Sequence, residues 1–202
     1  MATAIRDVQQ HDLDAVLSLN NASGPTILPL DMYRIRWFFD FADYFRVALV
    51  NDQLAGFLIA LREKAEYESP NFIWFRERYP EFIYIDRIVL AQRFRGLGLG
   101  RLFYSDVQSY AEVRAPLLAC EVSLEPRDDT AVLFHGTFGF QEVGQQVLRG
   151  SHARVSLLAK SLPSYQFVHD TYLRHGKLPE VTWLQERVRR VSTSKARASG
   201  QN

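Results

Sequence analysis

Eight residues constrain this chain more than any others: Arg93-Phe94-Arg95-Gly96-Leu97-Gly98-Leu99-Gly100. They follow an expected strand, Phe82–Leu90, that is apolar apart from Asp86 and Arg87. They precede an expected helix, Arg101–Val113, with Leu102, Phe103, Val107, Tyr110 and Ala111 on one stripe. Alternate glycines let the backbone turn tightly and approach a ligand closely. The first amides of a helix have no internal acceptor, and that end of the helix is positive. A strand, a glycine turn and a helix start therefore read as a cradle for phosphate oxygens, with charge added by Arg95 and Arg101.

Two common nucleotide motifs do not fit. The dinucleotide fingerprint places a third glycine where Arg101 stands, and a P-loop needs Lys-Ser/Thr after Gly100, where Arg101-Leu102 follows. The rest of the chain alternates strands and helices in a mixed α/β order. A first strand at Thr3–Val8 leads to a helix capped by Asp12, with Leu13, Val16 and Leu17 on its stripe and Asn20 as the polar exception. An aromatic helix at Met32–Ala42 and a hairpin around Asn51-Asp52-Gln53 come next. Lys64–Glu81 is an insertion whose Tyr67, Phe72, Trp74 and Phe75 read equally as a satellite core or a lid over a binding site. Leu117–Leu124 is a strand, Ala131–Phe138 a short helix, and Glu142–Leu148 and Arg154–Leu158 are closing strands.

Residues 1–160 are expected to form one domain. Residues 161–202 read as a helical extension, Tyr165–His175 and Val181–Val191, with a fraying polar tail. Apolar stripes on these helices need cover, which makes a homodimer the expected arrangement.

Charge and cysteine narrow the function classes. Lys plus Arg is 24 and Asp plus Glu 23, a net charge of +1. Such a chain has no global attraction for nucleic acid or an anionic membrane. The basic residues Arg187, Arg189, Arg190, Lys195 and Arg197 lack aromatic interleaving and read as a solvated face. No apolar run approaches about 18 residues, and the first residues lack a basic-then-apolar leader pattern. The single cysteine, Cys120, lies in an apolar run and reads as buried and inert. A cytoplasmic protein without a metal centre is the expectation.

The pattern that fits the glycine turn is R/Q-x-x-G-x-G/A, here Arg93-x-x-Gly96-x-Gly98, and it resembles the signature of the GNAT acetyltransferases. A second segment, Ala131-Val-Leu-Phe-His135-Gly-Thr-Phe-Gly-Phe140, is similar to that family's A-x-x-x-Y-x-x-x-G-F, with Asp128 where many members have Asn. The resemblance extends over about Ala4 to Lys160, and the stretches Ser69–Phe75, Tyr84–Ile88 and Glu121–Pro126 resemble an uncharacterised bacterial subgroup. It implies a mixed, mostly antiparallel sheet flanked by helices, with central strands splayed into an acyl-CoA cleft.

It further implies acetyl-CoA as donor cosubstrate and a small-molecule or peptide amine as acceptor. Backbone groups of Ile88, Val89 and Leu90 would pair with the pantetheine arm. Amides from Arg95 through Gly96, Leu97, Gly98, Leu99 and Gly100 would hold the pyrophosphate, with Arg101 and Asp128 nearby. The amine would attack the thioester directly, with the developing oxyanion held by a main-chain donor near Leu90. His135 aligns with the tyrosine that often protonates the leaving thiolate, a task imidazole can perform, with Tyr104 and Tyr110 as alternatives.

Asp86 interrupts an apolar strand, and a carboxylate there is costly unless used or paired. Glu121, Ser123 and Glu125 share one face of the neighbouring strand. Asp86, Glu121 or Glu125 is expected to bind or deprotonate the amine, and a salt bridge to a nearby arginine is the alternative for Asp86. A non-catalytic acyl-CoA-binding module on the same fold is the competing function.

Overall fold

A computed structural model describes residues 2–24, 26–148 and 153–176. Seven strands form one sheet: β1 (Thr3–Asp7), β2 (Tyr44–Val50), β3 (Gln53–Arg62), β4 (Ile83–Leu90), β5 (Leu117–Glu125), β6 (Gln141–Val147) and β7 (Arg154–Ser161). Their spatial order is β1-β2-β3-β4-β5-β7-β6. Only β4 and β5 run parallel; the other pairs are antiparallel. The helices are α1 (Leu13–Asn21), α2 (Met32–Phe41), α3 (Pro70–Arg76), α4 (Leu99–Ala111), α5 (Asp129–Thr137) and α6 (Pro163–Thr171).

The two faces of the sheet bury two cores. On one, α4 packs Leu99, Phe103, Tyr104, Val107 and Tyr110 against Ile83, Ile85, Leu118 and Cys120. On the other, α1, α2 and α3 pack Val16, Ile35, Phe38, Phe72 and Phe75 against Phe57, Ile59, Phe82 and Tyr84. Strand alternation sends neighbouring residues of β4 and β5 to opposite cores.

Local chemistry explains most element boundaries. Asp31 caps α2 by accepting from the Arg34 amide at 2.7 Å. Asn51 and Asp52 both take positive φ, the two-residue turn that matches the twist of the β2–β3 hairpin. Asp12 departs from the sequence-based expectation. Its side chain does not cap α1; it is buried, ion-paired to Arg6 at 2.6 Å and bonded to the Gln9 amide.

Part of the insertion is core. Ser69 and Pro70 start α3, and Phe72 and Phe75 are fully buried. Trp74 lies so close to Gly144 of β6 that a Cβ there would come within 2.6 Å of the indole ring. In the C-terminal extension, Leu162 and Tyr165 join the α4-side core, and the Tyr165 hydroxyl donates to Glu81 at 3.1 Å. Phe167 stays 66% exposed. The second expected helix, Val181–Val191, lies outside the described residues.

Candidate active site

The glycine turn sits where strand β4 hands over to helix α4. Gly96 and Gly98 both take φ +79°, a conformation that L side chains rarely adopt, and no atom lies within 4 Å of where a Cβ would stand on either. Gly98 is the N-cap of α4, and the Leu102 amide donates to its carbonyl as the first helical bond. The amides of Leu99, Gly100 and Arg101 therefore have no acceptor inside the helix. Gly100 is glycine for another reason: a Cβ there would meet the Phe134 ring of α5 at 3.1 Å. Arg95 and Arg101 are exposed beside this turn, and the Arg95 guanidinium lies 3.5 Å from the Leu90 carbonyl.

Strands β4 and β5 pair over two rungs only, Ile83 with Leu118 and Tyr84 with Ala119. Beyond them the strands part. The edge of β4 that continues through Ile88, Val89 and Leu90 pairs with β3 on one side and with no strand on the other. Register between β3 and β4 shifts as well: Ile59 pairs with Arg87 and Ala60 with Ile85, which leaves Asp86 as the extra, bulged residue.

Asp86 and Glu121 each stand two residues past the last rung, on facing strands and on the α1–α3 side of the sheet. Both are enclosed. Asp86 accepts from the Tyr67 hydroxyl at 2.5 Å and from Arg87 Nε at 2.7 Å. Glu121 accepts from the Tyr84 hydroxyl, and the Asn71 side chain lies beside it and favours its charged form. Burial pushes the Glu121 carboxyl up from its ordinary 4.5 to about 7. The charge of Asp86 adds to that rise, while the Tyr84 and Asn71 hydrogen bonds and the Arg87 charge oppose it. Glu121 thus exchanges its proton near neutral pH. Arg87 also binds Asn20 Oδ1 at 2.8 Å and the Leu28 carbonyl at 3.1 Å, which ties the α1–α2 loop to the carboxylates.

His135 and Tyr104 lie on the other face. The Tyr104 hydroxyl is 2.5 Å from His135 Nε2, and His135 Nδ1 is 2.7 Å from the Ala131 carbonyl. A carbonyl only accepts, so Nδ1 carries the imidazole proton and Nε2 accepts from Tyr104. Burial lowers the His135 pKa and raises that of Tyr104. Both groups are therefore neutral at pH 7. Cys120 is buried nearby and its thiol is pushed up, also by burial.

The structure therefore brings Asp86 and Glu121 together and puts His135 behind the sheet from them. Glu125 stands apart at the rim, ion-paired with Arg154 at 3.0 Å, and the Ser123 hydroxyl donates to the Pro126 carbonyl. Asp128 caps α5 by accepting from the Ala131 amide at 2.9 Å. Sequence reasoning missed Asn71 and Tyr84 as site residues; Tyr67 was among the aromatics read as core or lid, and the arginine partner weighed as the alternative for Asp86 is Arg87, at 2.7 Å. That reasoning noted Asn20 only as a polar exception on an apolar stripe; that residue is fully buried and holds Arg87.

The sequence model of the acetyltransferase (GNAT) family matches residues 13–140. The chain belongs to the GNAT acetyltransferase family. Solved acetyltransferase structures share the fold of this chain. Ard1 from Thermoplasma volcanium superposes with a TM-score of 0.65 at 16% identity, over 80% of this chain and 99% of its own. The ribosomal-protein-S18-alanine N-acetyltransferase from Escherichia coli gives 0.60 at 14%, over 80% of this chain and 94% of its own. Arabidopsis thaliana Naa50, in complex with the bisubstrate analogue CoA-Ac-MVNAL, gives 0.59 at 17%, over 80% of this chain and 99% of its own. No curated protein sequence matches this GNAT chain. Among the described residues no helix is long and apolar enough to cross a membrane, and no group of His, Cys, Asp and Glu is arranged to hold a metal ion.

Proposed function

We propose that this chain transfers an acetyl group from acetyl-CoA to a primary amine, with Glu121 as the general base. The observation that carries the reading is the buried Asp86–Glu121 pair facing across the gap where β4 and β5 separate. Acetyl-CoA supplies the acetyl thioester. The turn from Arg95 to Arg101 suits its pyrophosphate, because two open glycines and three free helix amides present donors without side-chain obstruction. The unpaired edge at Ile88–Leu90 suits its pantetheine amides.

The amine enters from the α1–α3 face. Asp86, enclosed and ion-paired with Arg87, adds negative potential beside the gap, and Glu121 takes the proton that the nitrogen must lose before it attacks. A base titrating near 7 is half ionised at neutral pH, which suits it both to accept that proton and to release it afterwards. The thiol side belongs to the α4–α5 face. There the single Tyr104 hydroxyl proton, donated to His135 Nε2 in the resting site, would turn to the leaving sulfur as the thiolate forms, and packing against His135 keeps the hydroxyl in place. The sheet keeps the two functions apart, and the gap joins them.

A panel of amines incubated with acetyl-CoA, followed by release of free thiol, tests the activity. Turnover of at least one amine is expected. Coenzyme A binding without turnover across small amines and peptide N-termini would favour the non-catalytic acyl-CoA module.

If Tyr104 and His135 act as one unit, their losses do not add. Tyr104→Phe, His135→Ala and the double variant are each expected to lower kcat by about 10²-fold, and His135→Tyr to recover part of that loss. Steady-state kinetics check this; parental kcat in His135→Ala would reduce the residue to packing. The homodimer expected from the 161–202 extension is likewise a proposal, and light scattering at micromolar concentration tests it, a monomer ending it.

A further inference from the structure

We propose that Tyr67 and Asn71, both carried by the segment between β3 and β4, are positioning residues that set the orientation and charge state of the Asp86–Glu121 pair. This rests on the acceptor-side reading above and deepens it. Neither residue lies on the strands that carry the carboxylates. Each reaches in from one connecting segment, and they divide the pair between them: Tyr67 donates to Asp86 at 2.5 Å, and Asn71 lies beside Glu121.

The segment is built to hold them still. Ser69 caps α3, Pro70 fills its first position, and Asn71 follows in the first turn. Phe72 and Phe75 fix α3 from beneath through ring contacts with Phe82 and Tyr84 at 5.5–6.0 Å. Trp74 locks it laterally on Gly144. Tyr67 is clamped by rings on both sides, stacked on Trp37 at 5.6 Å and edge-on to Phe72 at 5.6 Å. Asn71 is 4% exposed, and its Oδ1 accepts from Gln146 Nε2 at 3.3 Å. That contact uses its acceptor end and leaves the amide NH₂ to donate to Glu121.

The groups facing Glu121 are the Asp86 carboxylate and Arg87 guanidinium of β4, the Tyr84 hydroxyl of the same strand, and Tyr67 and Asn71 of the β3–β4 segment; Cys120 and Tyr104 feel its charge from the other face of the sheet. Asn71 donates to the charged form of Glu121 without adding charge of its own. It offsets part of what burial and Asp86 cost the carboxylate, and so keeps it available as a base near neutral pH.

The test reads Glu121 directly. In protein labelled with ¹³C at the glutamate side-chain carboxyls, the Glu121 resonance is assigned by its loss in Glu121→Gln and titrated. Asn71→Leu keeps the volume and removes the donor. It is expected to move the Glu121 midpoint, and the acid limb of kcat/KM for the best amine of the panel, upward by about one pH unit. Asn71→Asp, isosteric and charged, moves both further in the same direction. Tyr67→Phe keeps the ring clamp and lowers kcat by about 10-fold with KM for acetyl-CoA unchanged, because Asp86 is no longer held.

A Glu121 midpoint in Asn71→Leu within a few tenths of the parent overturns the proposal. So does parental kcat in Tyr67→Phe. If Asn71→Leu does not fold, Asn71→Ser is titrated instead against the same expectation. Failure of the base reading is a separate result: parental kcat in Glu121→Gln removes Glu121 from the chemistry and leaves the titration as the measure of what Asn71 does.

Discussion

Glu121→Gln is expected to lower kcat/KM by about 10²–10⁴-fold, the range for losing a positioned proton acceptor, while coenzyme A binds as before. The neutral amide keeps the volume and still accepts from Tyr84, so the pocket keeps its shape. The parent's kcat/KM falls as pH drops through about 7, where Glu121 becomes protonated, and the variant lacks that limb.

Stability moves the opposite way. Glu121 titrates at about 7 in the folded chain against an ordinary 4.5, so between those values the folded state holds a proton that the unfolded state has released. The stabilisation from that proton is full below pH 4.5 and is lost as pH rises through 7. Above that, the buried carboxylate costs about 3 kcal/mol. Glu121→Gln removes this cost. Its melting temperature should exceed the parent's at pH 8 and match it near pH 4. A variant that loses activity without this pH-dependent gain in stability would contradict the buried, raised carboxyl.

Coenzyme A binding is expected to weaken by about 10²–10³-fold in Gly98→Asp, the penalty for a carboxylate about 4 Å from a phosphate in a partly screened site. The substitution is chosen because the protein should survive it. Gly98 takes φ +79° with open space around it, and Asp enters that conformation more readily than most residues. Gly98→Asn, with the same backbone demand and no charge, separates repulsion from strain and should lose far less. Calorimetry with coenzyme A reads both. Equal binding by Gly98→Asp and the parent would falsify the phosphate cradle.

The side of the site proposed for the cofactor was legible in the sequence because it is made of backbone. Gly96, Gly98 and Gly100 fall within five consecutive residues, their conformational freedom is a local property, and the helix that follows supplies its own free amides. The same holds for the segment around His135, whose spacing is that of a single helix. Asp86 and Glu121 were also legible as candidates, since a charged residue on an apolar strand needs a use or a partner.

Their meeting was not legible. It depends on β4 and β5 pairing for two rungs and then parting, and on a bulge at Asp86, both set by the register of strands distant in sequence. Nor did periodicity show that Tyr67 and Asn71 would reach those carboxylates from the β3–β4 segment, because nothing local distinguishes an aromatic that fills a core from one that also donates a hydrogen bond. His135 shows the same limit from the other side. Its position in the motif follows from sequence. The use of both ring nitrogens, one by Ala131 and one by Tyr104, follows only from packing α5 against α4. Sequence alone determined the family, the glycine turn and the residue types available for proton transfer. Tertiary structure decided which of them share a pocket and which are divided by the sheet, because burial and neighbouring charge, the quantities that set a proton affinity, exist only once the chain has folded.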